Sequence, residues 1–405
     1  MMLNANEIAV LRELATKYTA LAAHPSQEKT RQLWYALNRR DMKKPMVLIN
    51  QMPWRELSCP ELVCKVEDRY WRRVENWLRQ SIYKMEHLPV DMVLTPYILL
   101  SRPIGGCSVR DYGLIYEVKR IGCSQEFTDV LQTEEDLEKI HKSTVTWDRA
   151  REEEIKQTAH MLFDGICEFR MKGANLHCGI WDFVSFAKSV TNCYLDLYDR
   201  PEFMHAIMRR LTDCILDTID QLNAIKGFDI ASTLTHCSHN FTDELPIGMD
   251  EATSDQAWAM GMAQLFTSVS PDITEEFEIP YLQEIYAKFG AVYYGCCERL
   301  DDRLELIEKL PNVRKVSCSP WSNRERFAER LSKKYIMSNK PSPALLATDT
   351  FDEQLVREDL RRTMDAAKRY DVPLEMILKD ISTVRNDPAR LWRWAEIAAE
   401  ETANF

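Results

Sequence analysis

The chain has 405 residues, 45% of them apolar, and a net charge of −11. This length can bury a large core, and the acidic balance argues against a nucleic-acid surface, which needs clustered Lys and Arg. No apolar run reaches the roughly eighteen residues of a membrane span and no basic, apolar leader opens the chain, so we expect a cytoplasmic protein with reduced thiols.

Two amphipathic helices are predicted at the start of the chain. Apolar residues recur at helical spacing over residues 4–22, and a second helix is predicted to end near Arg40. We assign residues 1–42 to an N-terminal helical extension and residues 43–405 to one catalytic domain.

Short apolar runs alternate with helical segments through that domain. One long helix is predicted from Pro60 to about Met85, and Asn175–Ile180 has the pattern of a strand. Further strands are predicted to start near residues 45, 90, 229, 265, 291, 313, 335 and 374. A (β/α)8 TIM barrel, an α/β fold, accommodates about eight such units. A doubly wound sheet is the rival, but GxGxxG follows none of the predicted strands.

Three residues with metal-binding side chains are evenly spaced in the second half of the chain. Glu276 and Cys297 stand 21 residues apart, as do Cys297 and Cys318. One strand plus one helix takes about twenty residues, so we expect equivalent places on neighbouring strands. A carboxylate and two thiolates suit a catalytic zinc ion with one open position.

The adjacent cysteines leave the choice of ligand open. Side chains alternate along a strand, so Cys296 or Cys297, but not both, is expected to face the site. The 21-residue spacing favours Cys297. Packing in the core is the alternative for either thiol, and also for Cys318.

Other side chains fall just past predicted strands, where a barrel places its active site. His236 and His239 are candidates for a catalytic acid or a fourth ligand, and backbone hydrogen bonding within a loop is the alternative. Trp54, Tyr294 and Trp321 are candidate walls for a flat, apolar substrate, with core packing as the alternative.

Four segments stand in a distinctive order: Leu33–Asn38 leading into Pro45 and Ile49, Asp199–Met204, Val269–Phe277 and Tyr294–Glu298. Their order and spacing resemble the uroporphyrinogen decarboxylase superfamily over about residues 28–400. This resemblance implies a TIM barrel and makes a homodimer plausible.

The resemblance to the corrinoid-dependent methyltransferase branch implies a zinc site and a corrinoid carried by a partner protein. That branch uses a His-x-Cys pair and a later Cys; here Tyr294–Cys296 and Asn339–Pro341 stand at those places, so the motif favours Cys296 as the ligand. Methyltransferases for methoxylated aromatics use mixed carboxylate, Cys or His sets, which suit Glu276, one of the paired cysteines and Cys318. The implied reaction is zinc-assisted O-demethylation, with the methyl group passing to cobalt.

Two other functions stay open. A metal-free decarboxylase of the uroporphyrinogen type would have a mouth rich in arginine, for which Arg31, Arg39 and Arg40 are available, although the family's Gly- and Arg-rich signature is missing. A barrel that carries a tetrapyrrole or corrinoid without catalysis is the third possibility. The corrinoid-binding pattern DxHxxG is absent from the sequence.

Overall fold

The fold is described from a computed structural model, which covers residues 3–121 and 124–405. Met1 and Met2 of the predicted extension lie outside the described residues. The described helices, in chain order, are α1 Ala5–Ala22, α2 Pro25–Asn38, α3 Arg69–His87, α4 Arg149–Phe163, α5 Ile180–Ala187, α6 Val190–Asp199, α7 Pro201–Ala224, α8 Pro271–Phe277, α9 Ile279–Tyr286, α10 Leu304–Ile307, α11 Arg324–Leu331, α12 Ala344–Ala347, α13 Glu353–Arg369 and α14 Ala389–Ala403.

The first two helices lie where the sequence predicts them. Asn4 caps α1 by accepting hydrogen bonds from the backbone, and Glu7 reaches back to the Asn4 N–H in a capping box. Pro25 occupies the first turn of α2, where its missing N–H costs nothing. The apolar face of α1, with Leu11 and Tyr18 buried, packs against α3 and α4.

Parallel pairing dominates the strands. In chain order they are β1 Met46–Ile49, β2 Tyr97–Ser101, β3 Ile104–Gly105, β4 Val118–Ile121, β5 Ser124–Phe127, β6 Thr146–Trp147, β7 Glu168–Lys172, β8 Leu234–Thr235, β9 Ser238–His239, β10 Trp258–Gly261, β11 Ala291–Tyr294, β12 Val313–Cys318, β13 Ile336–Asn339 and β14 Leu374–Leu378. Six of them form one parallel sheet in the order β1-β14-β13-β12-β11-β10. The mixed α/β class is therefore confirmed.

The six-stranded sheet is buried along most of its length. Every residue of β1, β11, β13 and β14 is buried, as expected for parallel strands covered on both faces. A separate parallel pair joins β2 and β7. His177, in the segment after β7, bridges to Met260 of β10, and the N–H of Asp91, in the segment before β2, donates to the Val47 carbonyl of β1 at 2.9 Å.

Buried polar groups fasten the short hairpin of β8 and β9 to the sheet. Lys315 of β12 donates to Ser238 Oγ at 2.6 Å and to the His239 carbonyl at 2.9 Å, and it pairs with Glu375 of β14 at 2.8 Å. Burial lowers the pKa of Lys315. Because these contacts fix β9, which directly follows the turn at residues 236–237, they restrict the position of that turn.

Several predicted elements differ from the structure. The strand predicted near residue 229 is reduced to isolated bridges at Phe228 and Ile230, and the strand predicted near residue 90 begins only at Tyr97. The predicted helix from Pro60 is a short 3-10 turn, and the long helix begins only at Arg69, capped by Asp68. The strand predicted near Leu265 is a 3-10 helix, Gln264–Ser268, and the strand lies earlier in the chain. Asn175–Ile180 contains an isolated bridge at His177 rather than a strand. Short apolar runs fit a strand and a buried helical turn equally well, which explains the error near Leu265.

Across the described ranges, no helix combines the length and the apolar character that crossing a bilayer requires.

Candidate functional site

Cysteines and a carboxylate converge at the carboxyl end of the six-stranded sheet. Cys296 and Cys297 follow β11, and Asp380 follows β14. One ligand atom from each of the three lies within 4.8 Å of the other two. Cys296 is buried, Cys297 is half-buried and Asp380 is exposed, so the group lies at the protein surface with one side open.

Both thiols point into the same place because the strand has already ended. β11 stops at Tyr294, and Gly295 adopts φ +91°, a conformation that L side chains rarely adopt. A Cβ on Gly295 would lie 2.6 Å from Leu300 Cδ1. The two sulfurs lie 3.5 Å apart, so the expectation that only one cysteine faces the site is wrong: alternation applies within a strand, and these residues lie beyond it.

Lys379 supplies positive charge to this group. Its Nζ lies 2.9 Å from Cys296 Sγ and 3.0 Å from Asp380 Oδ2. Cys297 Sγ lies 3.3 Å from Asp380 Oδ2. A hydrogen bond from Cys297, and then His236 and Lys379, lower the pKa of Cys296 to about 3, whereas the same sulfur contact raises the pKa of Cys297. Cys296 is therefore the thiolate of the pair.

The turn of the hairpin brings a histidine to the same site. His236 has a positive φ of 55°, and its ring stacks on Tyr293 with 5.0 Å between ring centroids. His236 Nδ1 lies 2.9 Å from Cys237 Sγ. Burial by itself would lower the pKa of His236, but the sulfurs of Cys237 and Cys296 raise it to about 9. His236 is therefore a cation at neutral pH.

A buried hydrogen-bond network supports the histidine from below. Lys340, just past β13, donates to Tyr293 OH at 2.5 Å and to Ser338 Oγ at 2.7 Å. Tyr293 OH also lies 2.7 Å from Ser338 Oγ and 3.6 Å from Cys237 Sγ. Burial raises the pKa of Tyr293 well above its usual value. The phenol is thus a neutral, fixed platform for the His236 ring.

Glu298 holds the cysteine turn in place. Its carboxylate accepts hydrogen bonds from the Cys296 N–H at 2.9 Å and from the Ala263 N–H at 3.2 Å, and thereby connects the loops after β11 and β10. Burial, and then the Cys296 thiolate, raise the pKa of Glu298 to about 7. The turn is therefore anchored by a side chain that follows it directly in the sequence.

Two of the predicted metal ligands lie outside this group. Glu276 is exposed on α8, where Oε1 lies 3.3 Å from His205 Nε2. It lies within a helix and not past the end of a strand, so the equal-spacing argument fails for this residue. Cys318 is the last residue of β12 but is fully buried, and burial raises its pKa to about 12. The structure brings neither residue to the paired cysteines.

The structure also separates the two predicted histidines. His239 is buried in the hairpin, with Nδ1 at 3.0 Å from the Thr233 carbonyl and Nε2 accepting from the Val93 N–H at 3.0 Å. These partners fix a neutral tautomer, and burial lowers its pKa to about 3. His239 therefore anchors backbone, while His236 faces the thiols.

The three predicted aromatic walls have different surroundings. Tyr294 is buried and donates to Glu278 Oε1 at 2.9 Å, behind the cysteine turn. Trp321 is 71% exposed beyond β12. Trp54 packs edge-on against Tyr83, with 5.9 Å between ring centroids. Trp54 and Trp321 are accessible to a ligand, and Tyr294 is part of the core.

Sequence reasoning missed Lys379 and Asp380. They follow β14 directly, and β14 was predicted from residue 374, so position past a strand end was an available signal. Asp380 lies 83 residues from Cys297 along the chain, and no regular spacing links the two.

Comparison with known proteins found similarity in structure but not in sequence. No family model matches it, and no curated protein matches its sequence. A solved structure described as "methyltransferase from Methanosarcina mazei" is similar, with 12% sequence identity and a TM-score of 0.50, over 93% of this chain and 98% of that chain. The two chains share a fold.

The donor set is compatible with zinc. Two thiolates bound to one zinc ion at about 2.3 Å in tetrahedral geometry would have sulfurs about 3.8 Å apart. Cys296 Sγ and Cys297 Sγ are 3.5 Å apart, and a carboxylate oxygen of Asp380 lies 3.3 Å from the second sulfur. Three such ligands leave a fourth position for a substrate atom.

Proposed function

We propose that the protein is a zinc-dependent methyltransferase of the uroporphyrinogen decarboxylase superfamily, which moves a methyl group from a small methylated donor to the cobalt of a corrinoid on a separate protein. The observation that carries this proposal is the convergence of Cys296, Cys297 and Asp380 at the carboxyl end of a parallel sheet. The shared fold with a protein described as a methyltransferase supports it.

We also propose that the parallel strands close into a (β/α)8 barrel. The bridge from His177 to β10 and the hydrogen bond from Asp91 to β1 favour this closure, because they connect the two edges of the sheet to segments that flank β7 and β2 in the chain. Active sites of such barrels lie at the carboxyl ends of the strands, where the cysteine pair lies.

The zinc ligands would be Cys296, Cys297 and Asp380, in place of the set with Glu276 and Cys318 predicted from spacing. Zinc would supply Lewis acidity, which lowers the cost of an ether oxygen leaving as an anion. His236, whose ring lies at the turn of the hairpin beside the thiols, would donate a proton to the departing oxygen. Tyr293 would orient the His236 ring through stacking.

A methoxylated aromatic is the donor that we favour. Trp54, close to the end of β1, offers an aromatic wall for a flat substrate. The corrinoid protein would dock at the same end of the sheet, since its cobalt must approach the methyl group. The arginines that a decarboxylase would need lie elsewhere: Arg31 pairs with Glu28 and Arg39 with Asp243 at the surface.

One experiment tests metal and reaction together. Wild type and the C296A/C297A and D380A variants would be loaded with Zn²⁺ by equilibrium dialysis, then incubated with a methoxylated aromatic acid and free cob(I)alamin. We expect about one zinc per chain in wild type, a large loss in both variants, and methylation of cobalamin only by the zinc-loaded wild type. C64A, which removes a partly buried thiol outside the site, is the matched control.

Wild type that takes up no zinc would contradict the metal site. Zinc bound equally by wild type and C296A/C297A would place the metal elsewhere. Stoichiometric zinc without methylation of cobalamin by any of a panel of methyl ethers would contradict the proposed reaction.

A further inference from the structure

A lysine without a carboxylate partner lies beside the candidate site. Lys84, in the last turn of α3, donates from Nζ to Asn50 Oδ1 at 3.1 Å. Among the described residues, no carboxylate lies within ion-pair distance of this ammonium, and burial lowers its pKa to about 8. An ammonium has three N–H donors, so Lys84 retains capacity for a further acceptor.

The contacts of Asn50 connect this lysine to the loops that carry the site. Asn50 directly follows β1, and its N–H donates to the carbonyl of Leu378, the last residue of β14 and the neighbour of Lys379 in the chain, at 2.9 Å. Its side-chain amide donates to the Cys237 carbonyl at 2.7 Å. Asn50 therefore connects Lys84 to the hairpin turn that carries His236.

An aromatic surface lies on the other side of the lysine. Lys84 Nζ is 5.9 Å from the centroid of the Trp54 ring. The loop that carries Trp54 is tied to the segment after Asp380, because Glu56 accepts hydrogen bonds from Thr383 Oγ1 and the Val384 N–H. A cation, an amide and an indole thus border the β1 side of the site.

We propose that Lys84, Asn50 and Trp54 form a subsite for a carboxylate on the methyl donor, so that the donor is an aromatic acid and not a neutral ether. This inference rests on the proposed function for the site, and it adds the charge of the substrate. Lys84 would bind the carboxylate, Trp54 would pack on the ring, and Asn50 would orient Lys84. A carboxylate would also supply the counter-charge that Lys84 lacks within the chain.

Isothermal titration with 4-methoxybenzoate and its neutral analogue 4-methoxybenzamide tests the subsite, with and without zinc. In wild type we expect the benzoate to bind at least about tenfold more tightly, the size of one charge-assisted hydrogen bond. K84M keeps the apolar stem and should lose this preference without weakening benzamide binding. K84R keeps the charge and should retain most of it. K17M, a change in an exposed lysine, is the matched control.

Equal affinity of wild type for the two compounds, no detectable benzoate binding, or benzoate binding unchanged in K84M would each overturn the subsite. The binding measurement does not depend on whether the protein catalyses methyl transfer. Lys84-dependent benzoate binding by a protein that takes up no zinc would support the anion subsite while contradicting the proposed methyl transfer.

Discussion

The charge state of each side chain in and near the candidate site depends on the groups that surround it. The Cys296 thiolate has a thiol, an imidazolium and an ammonium around it, whereas His239 has only neutral backbone partners. The two histidines stand three residues apart, yet their pKa values move in opposite directions, to about 9 for His236 and about 3 for His239. Residue type alone therefore does not decide the role.

The neutral state of His239 predicts an acid-sensitive contribution to stability. Its pKa is lowered from 6.5 in the unfolded chain to about 3 in the folded protein, so the unfolded state takes up the proton first as the pH falls. The contribution of neutral His239 to the free energy of unfolding is complete above pH 6.5 and is lost as the pH falls towards 3. We expect the free energy of unfolding to decline by up to about 1.4 kcal/mol per pH unit in this window.

Urea unfolding of wild type and H239Q between pH 4.5 and 7.5 measures this slope. Glutamine offers a neutral donor and acceptor without a titration, so H239Q should show a shallower pH dependence. H160Q, a change in an exposed histidine, is the control and should keep the wild-type slope. The same slope in wild type and H239Q would contradict the assignment.

At the scale of elements, the loops after the strands form the site. Among these loops, the turn at Gly295 restricts the residue type most strongly, because it combines a positive φ with no room for a Cβ. An alanine there would meet Leu300 Cδ1 and would hold a strained backbone. We expect G295A to lose about 1–3 kcal/mol of stability and to bind zinc more weakly, because the cysteine turn must shift.

Thermal unfolding and zinc titration of G295A and G165A measure the two effects separately. Gly165 has a φ of +79° with no atom within 4 Å of an added Cβ, so G165A carries backbone strain without a clash and far from the thiols in sequence. G165A should therefore be destabilised with zinc affinity unchanged. Wild-type zinc affinity in G295A would show that the turn does not position the ligands.

The strands themselves were largely readable from the sequence. Strands predicted to start near residues 291, 313 and 374 begin at Ala291, Val313 and Leu374, because continuous apolar runs between helical segments are typical of buried parallel strands. The 21-residue spacing argument assumed that Glu276 follows a strand, and it failed because Glu276 lies in the helix α8. Asp380 was missed although it follows a predicted strand, because no regular spacing links it to Cys297, 83 residues away.

At the scale of the whole molecule, one buried ion pair connects two strands and the hairpin. Lys315 and Glu375 are 1% and 0% exposed, and Lys315 also donates hydrogen bonds to both residues of β9 in the hairpin. Removing one partner leaves a buried charge without compensation. We therefore expect K315M to lose about 3–5 kcal/mol of unfolding free energy.

Urea unfolding of K315M and R330A compares a buried pair with an exposed one. Arg330 pairs with Glu305 at the surface, and its removal should change stability by at most about 1 kcal/mol. If K315M were as stable as R330A, the hairpin would not depend on this pair for its position.

The long sequence separation between Cys297 and Asp380 also affects the newly made chain. These two residues are 83 positions apart, and at about 5–20 residues per second a ribosome needs roughly 4–17 s to pass from one to the other. During that interval the vicinal thiols exist without the carboxylate and the ammonium that later enclose them. A reducing environment during synthesis would keep both thiols free until the last strand of the sheet is made.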